Sequence, residues 1–252
     1  MLSSMRSANP TLSDKAFDFS PGAIGSDDRT MTVQGTVNRT GILLLLVVGA
    51  AAFTWTSVMG GATAGIMGWV IGGAIAGLVL AMVTIFKKTW APYTSPLYAV
   101  AEGLFLGGIS AVFEQRFPGI VIQAVSLTFG VAFALLLAYT SGLIKATENF
   151  KLGVAAATGG VFLVYMVNFV MGFFGASIPF LHSSGPVGIG VSVVIVIIAA
   201  LNLVLDFDFI ESASEQGAPR YMEWYGAFGL IVTLIWLYLE MLRLLAKIQS
   251  RD

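Results

Sequence analysis

Seven apolar blocks, each close to or above the roughly 20 residues that a helix needs to cross a bilayer, leave this chain few ways to fold. They run over 41–59, 64–86, 94–113, 119–142, 153–175, 187–210 and 226–247. Breakers separate them: Gly60-Gly61, Pro92 and Pro96, Pro118-Gly119, Pro179, Gly185-Pro186, and Gly217 to Pro219. Lipid cannot satisfy an open backbone N–H or C=O, so each block is predicted to be a helix that closes its own hydrogen bonds. Composition points the same way. Only 11% of the 252 residues are charged, less than half the roughly 25% of a soluble domain, too few to make a water-facing surface. The expected class is an all-α membrane protein, a seven-transmembrane-helix bundle over residues 41–248.

What precedes the bundle reads as a tail. Residues 1–40 mix Pro, Ser, Gly and Asp without a sustained period, so disorder or loose packing is expected up to about Thr30. No apolar h-region is present there, and the first helix is expected to act as its own insertion signal. A net charge of −1 gives no footprint for nucleic acid. The absence of cysteine removes disulfides, thiolate metal sites and cysteine nucleophiles, and the single histidine, His182, rules out a histidine-rich metal site within one chain. No organic cofactor is expected.

Basic residues in the connecting segments set the orientation. With the amino terminus inside, the cytoplasmic side holds Arg29, Arg39, Lys87, Lys88, Lys145, Lys151 and Arg220, against Arg116 alone in the outer loops. Seven crossings would then put Arg243, Lys247 and Arg251 outside, so the last span is expected to be either re-entrant or unusually buried. In span 2, Gly61/Gly65, Gly68/Gly72 and Gly73/Gly77 recur four apart. This spacing lets helix backbones approach closely, and tight packing inside the bundle is favoured over a dimer face.

Charge inside a span is costly, about 2.5–3.5 kcal/mol for an acid at mid-bilayer on insertion scales, which makes each such residue a functional candidate. These are Glu102, Asp206, Asp208, Glu240 and Arg243, with Lys247 near the last end and Asn168 and Asn202 as polar companions. Asn202 and Asp206 are four apart and share a face. Asp208 points to nearly the opposite side and, with Glu211, is expected to be interfacial. Glu102 fits a hydrogen bond within the bundle better than it fits a function. Glu240 can pair with Arg243 in its own helix or reach another span. If Asp206 and Glu240 converge, two carboxylates in a low-dielectric interior cannot both ionise freely and would titrate as a unit. Such a site could hold a proton or a hard cation such as Ca²⁺, which prefers oxygen ligands.

At these residues the chain resembles the transmembrane Bax inhibitor motif family. "LDFDFI" at the end of span 6 and "WLYLEMLRLLAKI" in span 7 are similar to its paired acidic motifs, and "MTVQGTVNRTG" is similar to a bacterial branch. The resemblance covers about 40–248. It implies a seven-helix bundle with the last helix central, and a pH-sensitive calcium leak channel whose two sensor acids fall on Asp206 and Glu240. Basic residues at the inner end of span 2, Lys87 or Lys88, are then loosely matched as latch partners. The implied companions are the bilayer, Ca²⁺ and protons; protein partners are not readable. Position 240 carries Glu where the family has Asp. A symmetric hairpin turning at Gly217 to Pro219 would set Asp206 beside roughly residue 230, about 15 Å short of Glu240 at 1.5 Å per residue. Part of "EQGAPRYMEWYG" would have to lie along the interface for the acids to meet.

Enzyme readings fit less well. An intramembrane aspartyl protease would want a glycine-rich motif before Asp206, where the residues are Asn-Leu-Val-Leu. Ser177 and His182 share one short loop, whereas a general base needs a separate rigid element. A Schiff-base lysine would sit mid-helix, and Lys247 is too near the end. A non-conducting membrane factor that regulates proteases or stress machinery stands as the alternative to a channel.

Overall fold

The computed structural model describes residues 30–250 except 62, 177, 179, 180 and 182, with backbone alone at 63–65. The tail before residue 30, and Ser177 with His182, lie outside the described residues. Among the described residues seven long helices follow one another: α1 (Val33–Met59), α2 (Thr63–Phe86), α3 (Ala91–Arg116), α4 (Ile120–Thr140), α5 (Glu148–Phe173), α6 (Pro186–Glu215) and α7 (Met222–Gln249), with a 3₁₀ turn at Lys88–Trp90 before α3. All seven are long and apolar enough to cross a membrane, and the chain is a multi-pass integral membrane protein. Leu45, Leu78, Phe133, Phe162 and Phe173 are among the many large apolar side chains turned outward, as a lipid-solvated surface requires.

α1 starts at Val33, eight residues before the apolar block at 41. The reason is local. Thr32 is extended and its hydroxyl accepts from the Gly35 N–H at 2.9 Å, an N-cap of the preferred type. The Thr36 and Thr40 hydroxyls then donate back to the carbonyls four residues earlier. The helix therefore includes polar residues that hydropathy alone leaves in the tail.

The chain divides into two compact units, and α6 and α7 supply residues to both. One, the α1–α3 unit, combines residues up to Pro118 with Asp208–Val232. Small residues set its spacing. A Cβ on Gly107 of α3 would fall 2.1 Å from the Ala51 carbonyl oxygen of α1, and one on Gly73 of α2 would fall 2.6 Å from that of Ala101 in α3. Gly73 and Gly77 are thus packing glycines, whereas Gly68 and Gly72 face open space. In the same unit, α6 ends in a Schellman motif: Ala218 N–H bonds Ala213 O and Gly217 N–H bonds Ser214 O, with Gly217 at φ 66° and Pro219 just beyond. Met31 N–H donates to Ala218 O at 2.7 Å, pinning the entry to α1 against this turn.

The other, the α4–α5 unit, runs over Gly119–Phe207 and Thr233–Asp252. Here α6 and α7 form an antiparallel pair with Ala199, Leu203, Val204, Leu237 and Leu242 fully or almost fully buried. α7 is one uninterrupted helix, so the last span is not re-entrant.

Candidate functional site

Three polar residues of α7, Thr233, Glu240 and Lys247, are seven apart and so lie nearly in line, at levels about 10 Å apart along the axis. Each is buried, and each has its own partners within the α4–α5 unit.

The first level holds Asp206. Its carboxylate accepts from the Thr233 hydroxyl, and its Oδ2 is buried with no hydrogen-bond partner among the described residues. Asn202, on the same face one turn earlier, turns to α5 instead: its amide donates to Thr158 Oγ1 at 2.8 Å and to the Ile198 carbonyl at 2.7 Å.

At the second level, Glu240 is neutralised. Arg243 Nη1 donates to both its oxygens, at 2.8 and 2.9 Å. Tyr165 of α5 donates its hydroxyl to Oε1 at 2.9 Å, accepts from Arg243 Nη1, and lays its ring 5.1 Å from the guanidinium carbon. The i,i+3 pairing of Glu240 with Arg243 is one of the two alternatives that helical spacing allows. The sequence does not point to Tyr165, since nothing in an apolar run marks which tyrosine faces a carboxylate.

The third level is Lys247, whose ammonium donates to the Gly188 carbonyl at 3.0 Å and to Ser192 Oγ at 2.8 Å. Arg243 and Lys247, two of the basic residues that fit the outer side poorly, are therefore engaged within the helices rather than acting as loop charges.

Two contacts fix the helix register. Asp206 meets Thr233 and Ser192 meets Lys247, so position i of α6 faces position 439 − i of α7, a hairpin nearly symmetric about Pro219 and Arg220. Glu240 is level with Ala199, seven residues beyond the partner of Asp206. "EQGAPRYMEWYG" is mostly taken up by the end of α6 and the start of α7, and the structure does not bring Asp206 and Glu240 into one site. Among the described residues no group of three or more acids or histidines gathers as a metal site.

The remaining candidates belong to the α1–α3 unit. Glu102 lies against α2, where a Cβ on Gly77 would meet its Oε1 at 2.5 Å. Lys88 rests over the Tyr225 ring at 5.4 Å, and Lys87 is exposed at the same helix end. Asp208 and Glu211 each have interactions of their own. Sequence reasoning missed the strongest polar cluster of this unit. Glu223, in the first turn of α7, accepts from the Thr32 N–H and hydroxyl at 3.0 Å each and forms an ion pair with Arg39. Arg39 also donates to Gly35 O at 3.0 Å and stacks 5.4 Å over Trp224. A Cβ on Gly35 would fall 2.1 Å from Glu223 Oε1, so any larger residue there would have to displace this carboxylate. The usable signal was an acid at a helix start and a T-x-x-G at another. Nearby, burial pushes the Tyr221 phenol above its usual 10.0.

Comparison with known proteins agrees with this architecture. The family described as Bax inhibitor 1 like matches residues 7–250, nearly the whole chain. No curated protein and no solved structure gives a significant match. Seven spanning helices and a family match of that extent place the chain in the Bax inhibitor 1 like family.

Proposed function

We propose that this protein is a cation leak channel of the bacterial cytoplasmic membrane, amino terminus inside, passing Ca²⁺ under control of protonation, with Asp206 and Glu240 as its sensing acids. The observation that supports this most is the buried Oδ2 of Asp206, a carboxylate oxygen inside a membrane span with no hydrogen-bond partner among the described residues. Such an oxygen has an unused acceptor position. A proton fills it, and so does a hard cation; occupancy by either excludes the other. Thr233 donates a hydrogen bond to the same carboxylate and orients it.

Glu240 takes a different part. Its charge is balanced by Arg243 and its position is held by Tyr165, so it becomes a cation ligand only when that ion pair opens. The two acids thus act at separate levels of α7 rather than as one shared site. A proton or Ca²⁺ shifts the closed-to-open equilibrium only through a difference in affinity between the two states. Ca²⁺ here is cargo, not a resident cofactor, and no covalent chemistry is involved.

The test is Ca²⁺ flux from sealed proteoliposomes between about pH 6 and about pH 8, comparing wild type with Asp206→Asn and Glu240→Gln. We expect flux above protein-free vesicles, a pH dependence that flattens in Asp206→Asn, and a higher leak in Glu240→Gln through loss of the Arg243 pair. Unchanged flux and pH response in both variants would sink the sensor assignment. Absence of flux at every pH would leave the non-conducting reading, a membrane factor acting on partner proteases or stress responses.

A further inference from the structure

Between the first turns of α1 and α7, wholly within the α1–α3 unit, lies a cleft of about 490 Å³. Its polar lining includes Thr32, Gln34, Asn38, Arg39, Arg220 and Glu223. The charges in it are not all spent. Glu223 is: it is buried, with Oε1 on Thr32 and Oε2 on Arg39. Arg39 is only half used, because its bonds run through Nη1, and its buried Nε has no partner among the described residues. Arg220 is exposed and its guanidinium has no partner among the described residues. The Gln34 amide donates to Asn38 Oδ1 at 2.9 Å, which leaves the Asn38 NH₂ free to donate. The Gln34 N–H, in the first turn of α1, has no intrahelical acceptor, and Gln34 lines the cleft. Two guanidiniums, a side-chain amide and a helix start therefore face one space whose lining carboxylate is already satisfied.

We propose that this cleft binds the phosphate of an anionic phospholipid headgroup. The donor set is that of a phosphate site, since guanidinium and oxyanion pair through parallel, charge-assisted hydrogen bonds. Its surroundings point to lipid rather than to a dissolved anion. Trp224 stacks on Arg39, and its carbonyl accepts from Ser95 of α3. That contact puts the start of α3, with exposed Trp90 and Tyr93 and the neighbouring Lys87 and Lys88, at the same end of the unit. Aromatic rings beside lysine and arginine at helix ends mark the headgroup layer, and the side richer in basic residues is the one that faces the anionic leaflet. A bound headgroup would tie the start of α1 to the start of α7 from outside, as the Glu223–Arg39 pair does from inside.

The experiment is native mass spectrometry of the full chain in detergent, titrated with phosphatidylglycerol, with phosphatidylcholine and with inorganic phosphate. Arg220→Gln is the main variant, because Arg220 is exposed and holds nothing in place; Asn38→Ala is the second. Lys145→Gln, an exposed basic residue of the other unit, is the charge control. We expect phosphatidylglycerol to bind the wild type at one high-affinity site. Its affinity should fall about fivefold or more in Arg220→Gln, less in Asn38→Ala, and not at all in Lys145→Gln. Equal binding of phosphatidylcholine, or equal loss in Lys145→Gln, would overturn the site. Binding of inorganic phosphate with the same dependence on Arg220, without phosphatidylglycerol binding, would overturn the lipid as its occupant.

Discussion

α7 carries two buried glutamates, and each is neutralised by an arginine, but the arginines come from different places. Arg243 belongs to the same helix as Glu240, three residues on, so the ion pair itself joins no two helices; Tyr165 is its link to α5. Arg39 comes from α1, and the pair it makes with Glu223 ties two helices together. Exposure differs as well. The Arg243 side chain is 40% exposed and Arg39 15%, while both glutamates are almost completely buried. The Arg243 guanidinium is thus partly open to its surroundings, whereas that of Arg39 is largely enclosed. The Glu223 pair is a rivet between two helices and the Glu240 pair a more open bond within one.

The sharpest way to break this contrast is Glu223→Gln. It leaves a largely buried guanidinium without its counter-charge, a change that costs roughly 3 kcal/mol or more. Thermal unfolding in detergent, followed by tryptophan fluorescence, should show a larger loss than any other single substitution at either pair. A shift no greater than that of Glu240→Gln would erase the distinction. Gly35→Ala should come next, at about 2 kcal/mol, the usual scale for a side chain forced into filled space. It acts by displacing the same carboxylate without changing any charge, so the double variant Gly35→Ala/Glu223→Gln should cost clearly less than the two single losses combined.

Glu240→Gln should be milder, about 1 kcal/mol. Glutamine still accepts from Tyr165, and an arginine exposed to this degree can turn toward water or headgroups. Adding Tyr165→Phe tests the hydroxyl separately. A coupling energy near zero between the two changes would mean that Tyr165 packs beside the pair without holding it.

The same contrast explains what could be read from the residues alone. Long apolar blocks with Gly and Pro between them made all seven helices legible, because lipid leaves the backbone no other solution. Asn202 and Asp206 sharing a face followed from helical spacing within one element, and so did the pairing of Glu240 with Arg243 as one of two alternatives. Contacts between elements did not. Asn202 turns to Thr158 and Asp206 to Thr233, and helical spacing could not assign them different partners. The Glu223–Arg39 pair joins residues 184 positions apart (223 − 39), and Arg39 falls in a segment that reads as tail. A hairpin turning at Gly217 to Pro219 sets Asp206 beside roughly residue 230, and the observed partner is Thr233. That small difference is the true turn centre at Pro219 and Arg220, which leaves Glu240 two turns away.

Lys247 offers the smallest effect and sharpens the comparison from the opposite side. Its ammonium is buried but has no carboxylate partner among the described residues; it is held by a carbonyl and a hydroxyl. Removing a buried charge together with its desolvation cost is often close to neutral when the replacement fills the same volume. The acceptors left behind are also tolerant, since the Ser192 hydroxyl can rotate. Lys247→Met should therefore stay within about 1 kcal/mol of wild type, and differential scanning fluorimetry of the two proteins side by side would resolve that. A loss as large as that of Glu223→Gln would show that the ammonium itself holds α7 against α6. Stability near wild type would leave the charge of Lys247 free for another role, that of a fixed cation on the face of α7 that also carries Glu240 and the Thr233 partner of Asp206.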